Sequence, residues 1–438
     1  MKQRQSHARV GAGLGIAFPA GMAKTVGDRR RVVHVLRKYD SQEWGGTETH
    51  VVEVTRQLAR MGWGCEVHAP RGPASPEGAL DPRVPLVRYR SFNPFLGAAS
   101  KRQALRANAG NLVTLDEPLR LACDRGITLA HLHTAGRIGG AVRTAMRLTG
   151  RPYVLSVHGP LLARRAWLEA EMKQRLAGLV DLGQPFGALL GARRVLQDAA
   201  RVIVFNEDER VALAEQLGSR VVRLDQGVDL ERLRSGSRER ASRRWPQWAG
   251  RPVVAVIGRL HPVKNQLLAV RAFARGAPPD HHLVLAGAAV DPAYRAELER
   301  EIAQCGVASR AHVLGNLDSG EEVPDLLSLA RLVMVPSQYE AFGLIVLEAW
   351  AAGRPVLGGA VSGLADLAEA IGEEGLRVPT LKVEAWAMAL RQCLSNPARL
   401  EASAQAGHAL VRQRFTWEAV ARRLDGIYQE VLERRSAA

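Results

Sequence analysis

Two glutamates and a glycine stand in a stretch whose residue types suit the binding of an anion and of hydroxyl groups. A predicted buried strand ends at Pro336, a turn carries Glu340, and a helix that opens near Gly343 carries Glu348. The free N–H groups at a helix start bind anions, and glycine lets a ligand approach the backbone closely. Ionised carboxylates accept strong hydrogen bonds from hydroxyl groups. The stretch therefore predicts a phosphate site flanked by hydroxyl-binding carboxylates; the alternative is a surface helix with two ordinary glutamates.

Two cations follow another predicted buried strand, Val253–Ile257. Arg259 stands directly after Gly258, and Lys264 follows five residues later. Cations at the end of a buried strand suit an anionic ligand. The alternative is two solvated loop cations. The sequence contains no D-x-D element of the kind that binds a metal ion, so it predicts a metal-independent site without a cofactor.

The N-terminal half contains a glycine pair and a histidine that also lie next to predicted helices or strands. Gly45 and Gly46 precede a predicted helix over 47–61, and His158 follows the predicted strand Tyr153–Val157. The bare backbone of the glycines would let a ligand approach closely, or the pair forms only a helix-entry turn. A lone histidine is more often a core residue, but the position of His158 directly after a strand favours a functional role.

Short apolar runs that alternate with helical patterns must position these residues. Such alternation predicts parallel sheets covered by helices on both faces, with ligands outside the carboxyl ends of the strands. The pattern occurs twice, so we expect two doubly wound Rossmann-like domains that face each other across a cleft. The expected boundaries are a disordered extension over 1–30, a first domain over 31–235, a linker over 236–250, a second domain over 251–415 and an amphipathic helix over 416–438.

The same motifs, in the same order, resemble the retaining glycosyltransferases of family 4, also called glycosyl transferases group 1. The pair Glu340 and Glu348 matches the E-x7-E of that family, and the residues from Gly258 to Asn265 match its G-R-L-x-x-x-K-N loop. Gly45-Gly46-Thr-Glu and Ser156-Val-His158-Gly159 match its glycine-rich loop and its cleft histidine. The resemblance runs from about Val32 to the C-terminus, although only G-V-D remains of the family's P-N-G-V-D.

This resemblance implies a GT-B fold and specific roles in transferring a sugar from a nucleotide-diphosphate sugar. It implies that Arg259 and Lys264 neutralise the diphosphate, whose charge grows as it becomes a leaving group. It implies that the bare backbone of Gly45 and Gly46 lets the diphosphate approach across the cleft. Glu348 is implied to hold the ribose hydroxyls, Glu340 to bind the transferred sugar, and His158 to contact that sugar or polarise the reacting region. It also implies that the amides of Phe342, Gly343 and Leu344 line the sugar-phosphate end. The first domain is implied to be the acceptor side and the second to hold the UDP- or GDP-sugar. The acceptor would be a glycan or a lipid-linked molecule in cell-surface polysaccharide or glycolipid synthesis.

The charge of +16 is concentrated in one half of the 438 residues. Residues 1–235 contain 36 Lys and Arg against 22 Asp and Glu, whereas residues 236–438 contain 24 against 22. Such a field favours an anionic partner. Four scattered cysteines fit a reducing cytosol, and no apolar run is long enough to span a membrane. We therefore expect a cytoplasmic enzyme, with peripheral association at an anionic inner leaflet through a basic helix that carries Arg164, Arg165, Trp167, Leu168, Lys173 and Arg175.

Two other functions are alternatives to glycosyl transfer. A nucleotide-sugar hydrolase or epimerase of the same fold would act without an acceptor. A nucleic-acid-binding protein would use the basic N-terminal half, but no RNA-binding or zinc-finger pattern occurs in the sequence. We expect no nucleic-acid partner.

Overall fold

Two parallel β-sheets form the framework of the molecule. The computed structural model describes residues 30–40, 44–72, 79–97, 112–159, 178–289 and 291–436. The strands, numbered in chain order, are β1 Arg31–Val35, β2 Gly64–Pro70, β3 Leu86–Tyr89, β4 Phe95–Leu96, β5 Ile127–Leu132, β6 Tyr153–Ser156, β7 Val180–Asp181, β8 Arg201–Val204, β9 Val221–Arg223, β10 Val253–Ile257, β11 His282–Ala286, β12 Ala311–Val313, β13 Ala330–Val335, β14 Val356–Gly359 and β15 Leu376–Val378.

The first sheet has the order β3-β2-β1-β5-β6-β8-β9 and the second the order β12-β11-β10-β13-β14-β15. All pairings in both sheets are parallel. In each sheet the strand order reverses beside the first strand, between β1 and β5 and between β10 and β13. A crevice opens outside the carboxyl ends of the strands at such a reversal, and ligands of doubly wound sheets bind there.

Helices cover both sheets. They are Gly46–Arg60, Asp116–Cys123, Arg137–Leu148, Gln184–Leu189, Glu207–Leu217, Leu230–Arg234, Arg238–Arg244, Gln266–Gly276, Pro292–Gln304, Glu322–Leu329, Leu344–Ala351, Ser362–Ile371, Val383–Ser395, Pro397–Arg414 and Trp417–Ser436. The helices Gly46–Arg60, Leu344–Ala351 and Trp417–Ser436 begin within a residue or two of the positions predicted for them, because their apolar spacing and end signals agree. Asn206 caps the helix Glu207–Leu217 by accepting a hydrogen bond from the amide of Glu209.

The first sheet with its helices is called the first unit, and the second sheet with its helices the second unit. The residues predicted as a linker, 236–250, are folded onto the second unit. They contain the helix Arg238–Arg244 and a 3-10 turn that ends at the fully buried Trp248. Arg240 pairs with the buried Asp325 at 2.5 Å. The charged composition of this stretch therefore reflects ion pairing with a buried carboxylate rather than an open connection.

The C-terminal helix Trp417–Ser436 returns to the first unit and packs against Gly46–Arg60. Trp63 donates to Asp425 at 2.8 Å, and Tyr428 is fully buried. The amphipathic pattern of this helix thus reflects burial against the first sheet, and both ends of the described chain contribute to one unit.

Two predicted segments lie outside the described residues. They are the extension over 1–29 and the proposed membrane helix within 160–177. Directly after that range, the short strand β7 pairs with β4 and precedes the helix Gln184–Leu189. In the described part of the chain, no helix is both long and apolar enough to cross a membrane.

Candidate functional site

The predicted cation Lys264 and the predicted carboxylate Glu340 form an ion pair at the crevice of the second sheet. Lys264 follows β10 and Glu340 follows β13, the two strands between which the order reverses. The Nζ of Lys264 lies 2.5 Å from Oε1 of Glu340, and Ser337 donates to the same oxygen at 2.8 Å. Lys264, which we expect to bind a diphosphate, is therefore in direct contact with Glu340, which we expect to bind the sugar.

Glycine and asparagine give the loop after β10 its tight path. Gly258 has a φ of +150° and Gly287 a φ of +149°. A Cβ at Gly287 would lie 2.1 Å from the carbonyl oxygen of Gly258, so only glycine fits beside this loop. Asn265 takes the left-handed conformation before the helix Gln266–Gly276. The loop leaves the side chain of Arg259 exposed, where it can turn towards an anionic ligand.

The helix Leu344–Ala351 begins directly after Gly343, as the sequence predicts. Its start faces the glycine pair of the first unit. Gly343 has a φ of +100°, which favours glycine. A Cβ at Gly46 would lie 3.2 Å from Cδ1 of Leu344. Phe342 packs its side chain against Phe415, which leaves only its backbone for the predicted role. The starts of two helices from different units therefore meet, and both direct the positive ends of their dipoles towards this meeting point.

Glu348, predicted to bind ribose, has a partner that the sequence analysis missed. Its Oε1 lies 2.6 Å from Nη2 of Arg232, and each side chain is 24% exposed. Arg232 belongs to the short helix Leu230–Arg234, which follows the G-V-D element. The G-V-D element ends at Asp229, so Arg232, three residues later, is a cation that the sequence could have indicated.

Contacts between the two units place His158 close to the loop that carries Glu340. The ring of His158 lies 4.8 Å from the ring of Phe205, centroid to centroid. The next residue, Asn206, donates from Nδ2 to the carbonyl of Ala341 at 2.8 Å. The adjacent amide of Glu207 donates to Asp366 at 2.8 Å. The end of β8 thus links the predicted histidine of one unit to the predicted glutamate of the other.

His158 is half-buried and hydrogen-bonds to another histidine. Its Nε2 lies 2.8 Å from Nδ1 of His133. Burial lowers the pKa of His158 well below its usual range, and the nearby His50 and Arg37 lower it further. The ring is therefore neutral near pH 7, and it can donate from one nitrogen and accept at the other.

The amide of Gly45 is not open to a ligand in this arrangement. Glu48 accepts a hydrogen bond from it at 3.0 Å and closes a capping box at the start of Gly46–Arg60. Burial raises the pKa of Glu48. A diphosphate that reached this helix start would meet that carboxylate first, so the predicted approach at Gly45 requires Glu48 to move or to be protonated.

One group of side chains among the described residues has the spacing of metal ligands. Nitrogen atoms of His34, His131 and His133 lie within 4.8 Å of one another, and all three residues are buried in the first sheet. Each of these nitrogens already has a hydrogen-bond partner, including Tyr428 and Ser156. The ring nitrogens of these three histidines are therefore all engaged in hydrogen bonds within the protein.

Two family models match consecutive parts of the chain. The model described as Glycosyltransferase Family 4 matches residues 44–232. The model described as Glycosyl transferases group 1 matches residues 237–409. The boundary between the matches falls between the two units of the structure, and each match includes one half of the predicted site.

Curated relatives cover nearly the whole chain. A D-inositol 3-phosphate glycosyltransferase of Rhodococcus erythropolis is 30% identical over 401 residues, which is 88% of this chain and 86% of that protein. A protein of the same name from Geodermatophilus obscurus is 28% identical over 408 residues, covering 90% and 86%.

Solved structures confirm the predicted fold. Anabaena HepE in complex with UDP and glucose superimposes with a TM-score of 0.70 at 19% identity, covering 92% of this chain and all of that one. Sucrose-phosphate synthase from Thermosynechococcus elongatus gives a TM-score of 0.70 at 22% identity, with the same coverage. At this identity the likeness is one of fold, and it is the GT-B arrangement of two facing Rossmann-like domains.

Proposed function

Because the chain belongs to the family-4 glycosyltransferases of the GT-B fold, we propose that it transfers a sugar from a nucleotide-diphosphate sugar with retention of the anomeric configuration. The observation that carries this proposal is the Lys264–Glu340 pair at the reversal point of the second sheet, opposite Gly46 and near His158. It joins a phosphate-binding charge to a hydroxyl-binding carboxylate in one place.

The donor would lie along the second unit. Its diphosphate would rest against the amides at the start of Leu344–Ala351 and against Arg259 and Lys264. Glu348 would accept hydrogen bonds from the ribose once Arg232 gives way or turns aside. Solved structures of the same fold that hold UDP or UDP-glucose support a UDP-sugar; a GDP-sugar is the alternative carrier.

The charges support a mechanism of electrostatic stabilisation. As the bond from the sugar to the phosphate breaks, negative charge grows on the leaving oxygen, and fixed cations stabilise it without reorganisation. Glu340 and His158 would orient the sugar by accepting from and donating to its hydroxyl groups. The acceptor would enter from the first unit on the same face as the leaving phosphate, which would help to take its proton. This route needs no metal ion.

The acceptor is proposed by class. The excess of positive charge before residue 236 favours an anionic molecule, such as a phosphorylated lipid-linked acceptor or an anionic glycan of the cell surface. The printed names of the curated relatives add inositol phosphate to the compounds that should be tested first. A lipid-linked acceptor would place the enzyme at an anionic membrane surface. Co-sedimentation with anionic but not neutral vesicles, lost at high salt, tests that placement.

A thermal-shift panel tests the donor site directly. UDP-, GDP- and ADP-sugars are each added at increasing concentration, with Lys264→Met as the matched variant. A ligand at 100 times its dissociation constant stabilises the protein by about 2.7 kcal/mol, so the correct donor should raise Tm in the wild type and much less in the variant. Equal shifts in both proteins, or no shift with any nucleotide sugar, would contradict the proposal.

A further inference from the structure

His158 is the outer end of a chain of hydrogen bonds that leads into the first sheet. From His158 the bonds pass to His133 at 2.8 Å, to His34 at 3.1 Å, to Tyr428 at 3.5 Å, to His131 at 2.5 Å and to Ser156 at 2.7 Å. We name these six residues the histidine chain. Apart from His158, its members are buried.

The sheet itself places these side chains together. His34 on β1 and His131 on β5 are register partners in adjacent parallel strands, so they point to the same face. His133 lies two residues after His131 and therefore lies on that face as well. Tyr428 reaches them from the C-terminal helix Trp417–Ser436. Residues that are far apart in sequence thus form one continuous polar path.

Each bond in the histidine chain holds one hydrogen, so the tautomers are coupled. Burial lowers the pKa of His34 to about 3 and those of His131 and His133 well below their usual range. These rings are therefore neutral, and each has one N–H to place. If the hydrogen of one ring moves to its other nitrogen, the hydrogens of all neighbouring rings must move as well. Otherwise two donors, or two acceptors, would face each other in one of the bonds.

The inner end of the histidine chain selects the direction. The hydrogen-bond partner of the Ser156 hydroxyl in the described structure is Nε2 of His131, so the buried O–H is satisfied when it donates there. His131 then donates from Nδ1 to Tyr428, Tyr428 donates to Nε2 of His34, and His34 donates from Nδ1 to His133. His133 finally donates from Nδ1 to Nε2 of His158. His158 must then carry its own hydrogen on Nδ1.

We propose that His133, held by His34, is a positioning residue that fixes His158 as the Nδ1–H tautomer, so that it presents a hydrogen-bond donor to the transferred sugar. The link to the sugar rests on the proposed function, whereas the tautomer can be measured without any reaction. A histidine whose second nitrogen is fixed by a partner is pre-oriented in both ring angle and donor position.

A matched control pair exists in the second sheet. His34 and His133 have an Nδ1–Nε2 distance of 3.1 Å, with ring centroids 5.4 Å apart and planes 16° from parallel. His282 and His312 have the same atom pair at 3.1 Å, with centroids 5.4 Å apart and planes 12° from parallel. Loss of either pair removes the same contact, but only the first belongs to the histidine chain.

The experiment reads the tautomer of His158 by NMR. The full chain is labelled with 15N-histidine, and two-bond proton–nitrogen spectra at pH 7.5 are assigned by comparison with His158→Gln. We expect the Nδ1–H pattern in the wild type and in His312→Leu. We expect a change towards Nε2–H, the form that free neutral histidine prefers, in His133→Leu and His34→Leu. His133→Asn, whose amide can donate near the position of Nδ1, should keep the wild-type pattern.

Kinetics give the second readout. In His133→Leu we expect kcat to fall about 10–100-fold, the effect seen when the partner that orients a metal-binding histidine is removed. We expect KM for the donor to change less than about threefold. His133→Asn should recover most of kcat, and this variant also separates positioning from a general loss of folding. An Nε2–H pattern in the wild type, an unchanged pattern in His133→Leu and His34→Leu, or an Asn variant as slow as the Leu variant would overturn the proposal. Absence of transfer in the wild type would instead overturn the proposed function and leave the tautomer result standing.

Discussion

Replacing Lys264 by methionine should weaken both folding and transfer, for different reasons. The side chain of Lys264 is 24% exposed and that of Glu340 is 11% exposed, with 2.5 Å between the charged atoms. Removal of one partner from a fully buried ion pair costs about 3–5 kcal/mol, whereas exposed pairs contribute about 0–1 kcal/mol. This partly covered pair should lie between these limits, so we expect a loss of about 1–2 kcal/mol in unfolding free energy.

The loss in transfer should be larger. One preorganised charge at a developing anion is worth about 2.7–4 kcal/mol, which corresponds to about 10²–10³ in kcat. The second variant, Glu340→Gln, removes the charge that Lys264 neutralises in the unliganded protein. Urea unfolding and initial rates at saturating donor are measured for the wild type, both single variants and the double variant.

The double variant separates the two roles of Lys264. It should recover most of the lost stability, because no uncompensated charge remains at the pair. It should not recover turnover, because the diphosphate still lacks its cation. Near wild-type kcat in Lys264→Met, or recovery of kcat in the double variant, would refute the reasoning and reduce Lys264 to a counter-ion of Glu340.

Three further outcomes follow from the structure. Arg259→Ala should lower kcat about 10²–10³-fold while Tm barely changes, because the side chain is exposed; a large loss of Tm would contradict a role in the cleft. Glu348→Ala should raise KM for the donor more than it lowers kcat, since ribose contacts persist in ground and transition states. Arg232→Ala should not raise KM, because it removes the side chain that competes with ribose for Glu348. A Glu348→Ala variant that loses kcat with KM unchanged would refute the assignment. Burial lowers the pKa of His34 to about 3 and of His50 to about 4, so both stay neutral at pH 5.5 while the unfolded chain, titrating near 6.5, gains protons. Together they should lower the unfolding free energy by about 3 kcal/mol between pH 7.5 and pH 5.5. Urea unfolding of His34→Asn should show a smaller dependence of the unfolding free energy on pH. An unchanged pH dependence in this variant would contradict the burial of a neutral His34.

Local patterns predict the strands at the site well. Val253–Ile257 has the predicted bounds because it is a short apolar run covered on both faces. Gly343 predicts the start of the helix Leu344–Ala351 for a similarly local reason, since its φ of +100° favours glycine. Such signals need no knowledge of distant residues.

Features that depend on distant partners could not be predicted in this way. Tyr428 and His34 are 394 residues apart in sequence, yet they contact each other. Arg232 and Glu348 are separated by 116 residues. The two histidines at the end of β5, His131 and His133, were a usable signal, since side chains two residues apart on a strand share a face.

The reaction outcome with an α-configured nucleotide sugar tests the central claim most directly. The wild type is incubated with the donor that gives the largest thermal shift and with inositol phosphate, glycan and lipid-linked acceptors in turn, in the presence of EDTA, and the product is followed by proton NMR. We expect acceptor-dependent release of the nucleoside diphosphate and a product whose anomeric coupling remains α, with both lost in Lys264→Met. A β-configured product, or free sugar formed at the same rate without an acceptor, would contradict the proposed retaining transfer.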